Sequence, residues 1–270
     1  MREIRVRMSY KPRPLPSGRW AMTQRWNDVL FAHWPVPPAQ LAGLIPNGLS
    51  VDTFQGSAWV GVVPFWMDRI KIRGVPPIPG ARSFPELNLR TYVRDPHSGA
   101  AGVYFLSLDA SNLLAVGVGR TFYHLPYHWS AIRFEQRTER DFVFESRRRF
   151  RSNPVEFKAR YRGLGPTRKL AESNPGSLEY FLTERYCLFS VDHTGQPVRA
   201  NVHHVPWPLE DAEADIARND LAAALGITLP NEQPVLHYSR RLAVYIWPAE
   251  LVRPAAARRR QVPAAVTPSG

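Results

Sequence analysis

The chain has 270 residues, with 35 Lys plus Arg against 23 Asp plus Glu and a formal net charge of +12. Its 44% hydrophobic and 21% charged residues describe a globular chain rather than a disordered one. Its one cysteine, Cys187, excludes an internal disulfide framework and an all-thiolate metal site.

The charge is concentrated at the ends. Residues 1–19 carry +5 and residues 253–270 carry +4, which leaves +3 for residues 20–252. The two ends read as basic Pro/Arg-rich tails, expected to be disordered, around a single β-rich domain over 20–252. No apolar run of about 18 residues marks a membrane-spanning helix, so no membrane partner is expected. The first residues lack the apolar core of a secretory signal, and a cytoplasmic, bacterial protein is expected. Basic tails allow contact with nucleic acid or an anionic surface, but the middle of the chain gives nucleic acid little support. The cations are 31 Arg and four Lys (Lys11, Lys71, Lys158 and Lys169), so few amines are available for imine chemistry.

In chain order, strands are predicted over 26–34, 57–72, 87–94 and 102–109, then 129–137, 141–150 and 154–162, and finally 186–193, 197–205 and 235–247. Several alternate apolar and polar residues, as Phe142 and Phe144 do against Asp141 and Glu145. Asp95-Pro96, Asn153-Pro154, Asn174-Pro175-Gly176 and Thr194-Gly195 punctuate them as turns. Helices are predicted from Pro37-Pro38-Ala39 to Ile45, over 111–122 with Ser111 or Asn112 as N-cap, and over 178–182 behind Ser177. A further helix is predicted over 209–225, with acids in its first turn and Gly226 beyond its end. This order lacks regular β-α alternation. It points to a mainly β, α+β chain forming an antiparallel barrel or cone with a few peripheral helices.

No GxGxxG, GxxxxGK[ST], GxSxG, HExxH or CxxC motif is present. Two stretches carry candidate chemistry. In Phe84 to Tyr92, strand geometry puts Glu86, Asn88 and Arg90 on one face, either as a polar ladder in a cavity or as a solvent-facing side. In Gly119 to Trp129, two tyrosines and two histidines surround Pro126. Tyr123, His124, Tyr127 and His128 supply phenols and imidazoles suited to proton transfer or ligand anchoring. Pro126 breaks a shared helical face for His124 and His128, so no metal site is expected. Arg25, in an aromatic stretch near the start, is a further candidate.

The segments QRWNDVLFAHWPVPPAQLAGLIPNGLSVDTFQGSAWVGVVPFWM, FPELNLRTYVRD, GVYFLSLDASNLLAVGVGR and YHLPYHWSAI resemble, in order, the YqjF-like DUF2071 family of uncharacterised bacterial proteins, over about residues 20–250. That family is similar to acetoacetate decarboxylase, which implies a cone-like antiparallel β-barrel with helices around it. The decarboxylase motif GRELxxxPKK falls on GRTFYHLPYH. Gly119, Arg120 and Pro126 match, while Tyr127 and His128 stand where the Schiff-base lysine and its neighbour would be. The resemblance also places Glu86 and Arg25 near the pocket. It therefore implies a small-molecule pocket without imine chemistry and without a cofactor, binding a keto or hydroxy acid. Arg25, Asn88, Arg90, Arg120, Tyr123 and His124 are the candidate binding residues. As an enzyme of the lyase or hydratase type, the chain would use Tyr127, His128 and Glu86 as its acid-base groups. A homo-oligomer and a tail-mediated interaction protein remain open alternatives.

Overall fold

The computed structural model describes residues 15–76, 80–149, 154–169 and 175–252. Of the basic tails expected to be disordered over 1–19 and 253–270, residues 1–14 and 253–270 lie outside the described residues, whereas 15–19 are described, with the Gly18 carbonyl accepting from the Trp247 indole at 3.4 Å.

Strands dominate. In chain order they are β1 (Met22–Val36), β2 (Ser50–Val51), β3 (Ala58–Ile72), β4 (Phe84–Arg94), β5 (Ala101–Ala110), β6 (Tyr127–Gln136), β7 (Asp141–Arg148), β8 (Glu156–Gly163), β9 (Arg168–Lys169), β10 (Cys187–Val191), β11 (Pro197–His203), β12 (Pro208–Asn219) and β13 (Val235–Leu251). Among the described residues three short α-helices interrupt them: α1 (Ala39–Ala42), α2 (Leu113–Tyr123) and α3 (Leu178–Thr183). Two start where their caps predict. The Asn112 side chain accepts from the Ala115 N–H at 3.0 Å, and the Ser177 side chain accepts from the Tyr180 N–H at 3.3 Å. No helix among the described residues is long and apolar enough to cross a membrane.

Strands β4, β3, β1, β13, β11, β10 and β5 pair in that order, and β5 returns to β4 to close a ring. Strands β6, β7, β8 and β12 then run on from β5 and rejoin the ring at β13, forming a second layer against its outer face. The cone is not wholly antiparallel, because β5 pairs in parallel with both β10 and β6. The α2 segment supplies the crossover from β5 to β6 that a parallel pair requires.

Period-2 geometry sorts the ring's side chains into two cores. Val29, Phe31, Val63, Phe65, Leu242 and Val244 point inward, with α2 and Trp207 packed at the interior. Leu30, Ala32, Val60, Val62, Leu87 and Leu89 point outward, against Phe142, Phe144, Phe157 and Tyr161 of the second layer.

The segment predicted as a helix over 209–225 is instead strand β12, followed by one 3-10 turn over Ala223–Leu225. Ala212, Ala214 and Ile216 share one parity and pack on the outer core. Asp211, Glu213 and Asp215 share the other parity, and Glu213 and Asp215 lie opposite Arg162 and Arg160 of β8. The acids that resemble a helix's first turn are cross-strand partners of a basic strand, an arrangement that only the fold creates.

Candidate functional site

The inward face of β4 carries Glu86, Asn88 and Arg90, each buried, while Leu87 and Leu89 face the outer core. Beyond β5, helix α2 runs back along the ring and ends at His124, whose φ of 51° turns the chain sharply. The Leu125 N–H then donates to the Gly119 carbonyl at 3.1 Å, and Pro126 leads into β6 at Tyr127. This corner delivers the Tyr127 side chain to β4, where its hydroxyl donates to Glu86 Oε2 at 2.7 Å. Gly119 makes the approach possible. A Cβ there would stand 2.4 Å from the Tyr127 ring, closer than packed carbon atoms approach. Arg120, on the exposed side of α2, donates through Nε to the Tyr127 carbonyl at 2.9 Å and holds the corner from outside.

Glu86 and Tyr127 face a cavity of about 500 Å³ inside the ring. Trp26, Met67, Phe84, Phe105, Leu125 and Ile246 give it apolar walls, and Tyr123 lines the α2 side. Burial raises Glu86 from an ordinary 4.5 to about 7. The Tyr127 hydroxyl and the Asn88 amide oppose this rise, and nearby Asp109 adds to it. Burial, the Glu86 charge and their shared hydrogen bond raise the Tyr127 phenol in turn. Asp109 is itself held in a buried pair: Arg148 donates to it through Nε at 2.7 Å and to Ser107 Oγ at 2.7 Å. The site is therefore a carboxyl that titrates near neutrality, hydrogen-bonded to a phenol that stays protonated, at the wall of an apolar chamber.

The remaining candidates from the sequence have other surroundings. Asn88 and Arg90 are buried on the same strand face as Glu86 but lie outside the chamber lining. Arg90 sits over the Phe31 and Tyr92 rings, at 5.2 and 5.9 Å from their centroids. Arg90 Nε and Asn88 Oδ1 have no hydrogen-bond partner among the described residues. Arg25 is engaged by Asp68, with Nε to Oδ1 at 2.6 Å. His124 lies 6.4 Å from the His193 ring, and His128 is half-buried in β6 opposite Asp109; neither lines the chamber. Among the described residues no group of three or more His, Cys, Asp or Glu gathers as metal ligands would.

Two parts of the chamber escape a reading of motifs. One is the apolar wall, drawn from six separated strands, with Leu188 of β10 among its residues. The other is the mouth, where Arg69, Lys71 and Arg82 stand on and around the end of β3. The available signal for the mouth is compositional: residues 69–83 contain four Arg or Lys and no acid.

The DUF2071 model, described as an uncharacterized conserved protein, matches residues 23–243. The uncharacterized protein YqjF of Bacillus subtilis (strain 168) is 43% identical over 243 residues, covering 90% of this chain and 97% of that one. Among solved structures, acetoacetate decarboxylase from Legionella pneumophila superposes with a TM-score of 0.61 at 12% identity, covering 93% of this chain and 95% of that one. The enduracididine biosynthesis enzyme MppR, complexed with pyruvate, superposes at 0.58 and 12% identity, covering 90% and 93%. These two likenesses establish a shared fold.

Proposed function

The chain belongs to the DUF2071 family of uncharacterized conserved proteins, and we propose that its ring interior is a binding chamber for a small organic molecule with a carbonyl or hydroxyl oxygen. The observation that carries this reading is the Glu86–Tyr127 pair at 2.7 Å, aimed into a cavity whose inner walls are mainly apolar. Such a chamber gains affinity from its walls and orientation from a few polar groups. Below about pH 7 Glu86 is neutral and can donate its proton to a ligand carbonyl while still accepting from Tyr127. Above that pH it accepts from a ligand hydroxyl. Similarly folded proteins named for acetoacetate and crystallised with pyruvate support a keto or hydroxy acid as the ligand class.

A second reading, proton transfer of the lyase or hydratase type, is favoured by the same carboxyl. An acid-base group near the working pH is efficient in both directions, and Glu86 at about 7 meets that condition. Tyr127 would orient it through its single O–H, and once protonated Glu86 itself would donate to a developing enolate-like oxygen. Imine chemistry is no part of this proposal. Tyr127 occupies the position that the resemblance assigns to a lysine, and Lys71, which belongs to the lining, stands exposed at the mouth.

Thermal-shift screening with keto and hydroxy acids tests the reading. The parent protein is expected to be stabilised by at least one of them, and Gly119→Ala, which drives the Tyr127 ring off Glu86, is expected to lose most of that stabilisation. Turnover assays on each hit then separate binder from enzyme. An equal shift in parent and Gly119→Ala overturns the assignment of the pair.

A further inference from the structure

The mouth of the chamber and its base differ in chemistry, and together they define a longer ligand than the base alone. Arg69, Lys71 and Arg82 line the mouth and are exposed, and none forms an ion pair among the described residues. The neighbouring acid, Asp68, is already engaged by Arg25 and Asn27. Residues 69–83 contain no other acid that could neutralise them. The fourth cation of that rim, Arg73, is engaged by Trp20: it lies 3.8 Å over the ring and donates to the Trp20 carbonyl. Three cations therefore face one opening with no ion-pair partner among the described residues, Arg69 feeling only the field of Asp68 that Arg25 already engages, and together they are the electrostatic complement of an anion.

Between mouth and base the chamber is apolar. Val75 and Leu114 form an apolar lip, 43% and 58% exposed. The register Phe65↔Glu86 places Glu86 beside Phe65, whereas Lys71 lies six residues further along β3. At about 3.3 Å per residue the two ends are on the order of 20 Å apart along the strand. A cavity of about 500 Å³ falls within the range that holds drug-sized ligands. A three- or four-carbon keto acid at Glu86 would leave most of the apolar wall uncovered and would not reach the mouth.

We infer that the ligand is an amphipathic acid: an anionic head on Arg69, Lys71 and Arg82, an extended or ring-bearing hydrocarbon body in the chamber, and a carbonyl or hydroxyl oxygen at Glu86 and Tyr127. This rests on the chamber proposed above and adds to it the head group, the polarity of insertion and the length. The three cations act as an anchor for the anionic head and so select orientation. The apolar wall supplies the affinity, since each buried methylene contributes several-fold in binding.

The test uses the full chain and titration calorimetry with straight-chain carboxylates from propanoate to dodecanoate, with dodecanol, and with omega-hydroxydodecanoate. Affinity is expected to rise with chain length, and dodecanoate to bind about tenfold tighter than dodecanol. The combined variant Arg69→Ala, Lys71→Ala, Arg82→Ala is expected to erase that tenfold preference and its salt dependence while binding dodecanol as before, since three exposed ion pairs are each worth a few-fold. The omega-hydroxy acid is expected to bind more tightly than dodecanoate in the parent, and that margin is expected to shrink in Glu86→Leu, whose side chain has no hydrogen-bonding group. Equal affinity for acid and alcohol, or a preference that survives the triple variant, overturns the anchor. If pyruvate or acetoacetate binds as tightly as dodecanoate, the length inference fails while the chamber proposal stands. If no compound of either size binds, the chamber proposal itself has failed. Retention of the parent on anionic vesicles, with no binding of the monomeric acids, would assign the rim to a membrane surface and also overturn the inference.

Discussion

The two cores of this protein are built from opposite faces of the same strands, yet they are organised differently. On the outer side of the ring, Leu87 and Leu89 of β4 meet Phe142, Phe144 and Phe157 in a layer that is apolar and closely filled. On the inner side, one residue position away, the same strand presents Glu86, Asn88 and Arg90 to an interior that contains a cavity. The outer layer gains stability from close packing. The inner side gives up part of that stability, because buried polar groups and empty volume both cost free energy. A ring that sacrifices packing on one face and keeps it on the other separates the work of holding the fold from the work of receiving a ligand.

The largest effect that tests this division is expected from the outer layer. Phe157 is fully buried, and Phe157→Ala is expected to cost about 3–5 kcal/mol in denaturant unfolding. If that loss leaves ligand-induced stabilisation intact in the surviving folded fraction, the two faces act separately.

The next effect comes from the inner side and has a sign that depends on pH. The folded pKa of Glu86, about 7, lies above its ordinary 4.5, so the folded chain binds the proton more tightly than the unfolded one. Its contribution is fully present below about pH 4.5 and is lost as pH rises through about 7, a change of about 3 kcal/mol. Glu86→Gln stays neutral, so the variant is expected to gain about that much over the parent between these limits. His33 and His237, lowered by burial, have the opposite pH dependence but are common to both proteins and cancel in the difference. A difference in stability that does not change with pH would mean that Glu86 is not buried in the charge-averse setting described here.

The smallest effect belongs to the solvent side of the second layer. Arg162 Nη2 lies 2.6 Å from Glu213, and both side chains are more than half exposed. A double-mutant cycle on this pair is expected to yield no more than about 0.5 kcal/mol, vanishing at high salt. A larger coupling would show that cross-strand charge, as well as apolar parity, holds β12 to β8.

Much of the fold was legible in local pattern. Alternation marked the strands, and Asn112 and Ser177 marked the starts of α2 and α3, because each cap bonds a backbone N–H three residues away. The common face of Glu86, Asn88 and Arg90 followed from strand geometry, although only Glu86 lines the chamber. The position of Tyr127 came from a family resemblance, since nothing in its local sequence shows that it meets a residue 41 positions earlier.

The sequence by itself determined which residues alternate, where helices start and which side of β4 is polar, because these depend on neighbours within a few residues. The tertiary structure decided what no short window contains. It made a strand of residues 208–219, because a basic strand lay beside their acids and an apolar layer beneath their alanines and Ile216. It closed the ring through the pairing of β4 with β5. It gathered Arg69, Lys71 and Arg82 around one opening, with Glu86 at the far end. Each of these depends on which segments meet after the chain has folded, and that is set by the burial of both faces of the ring together.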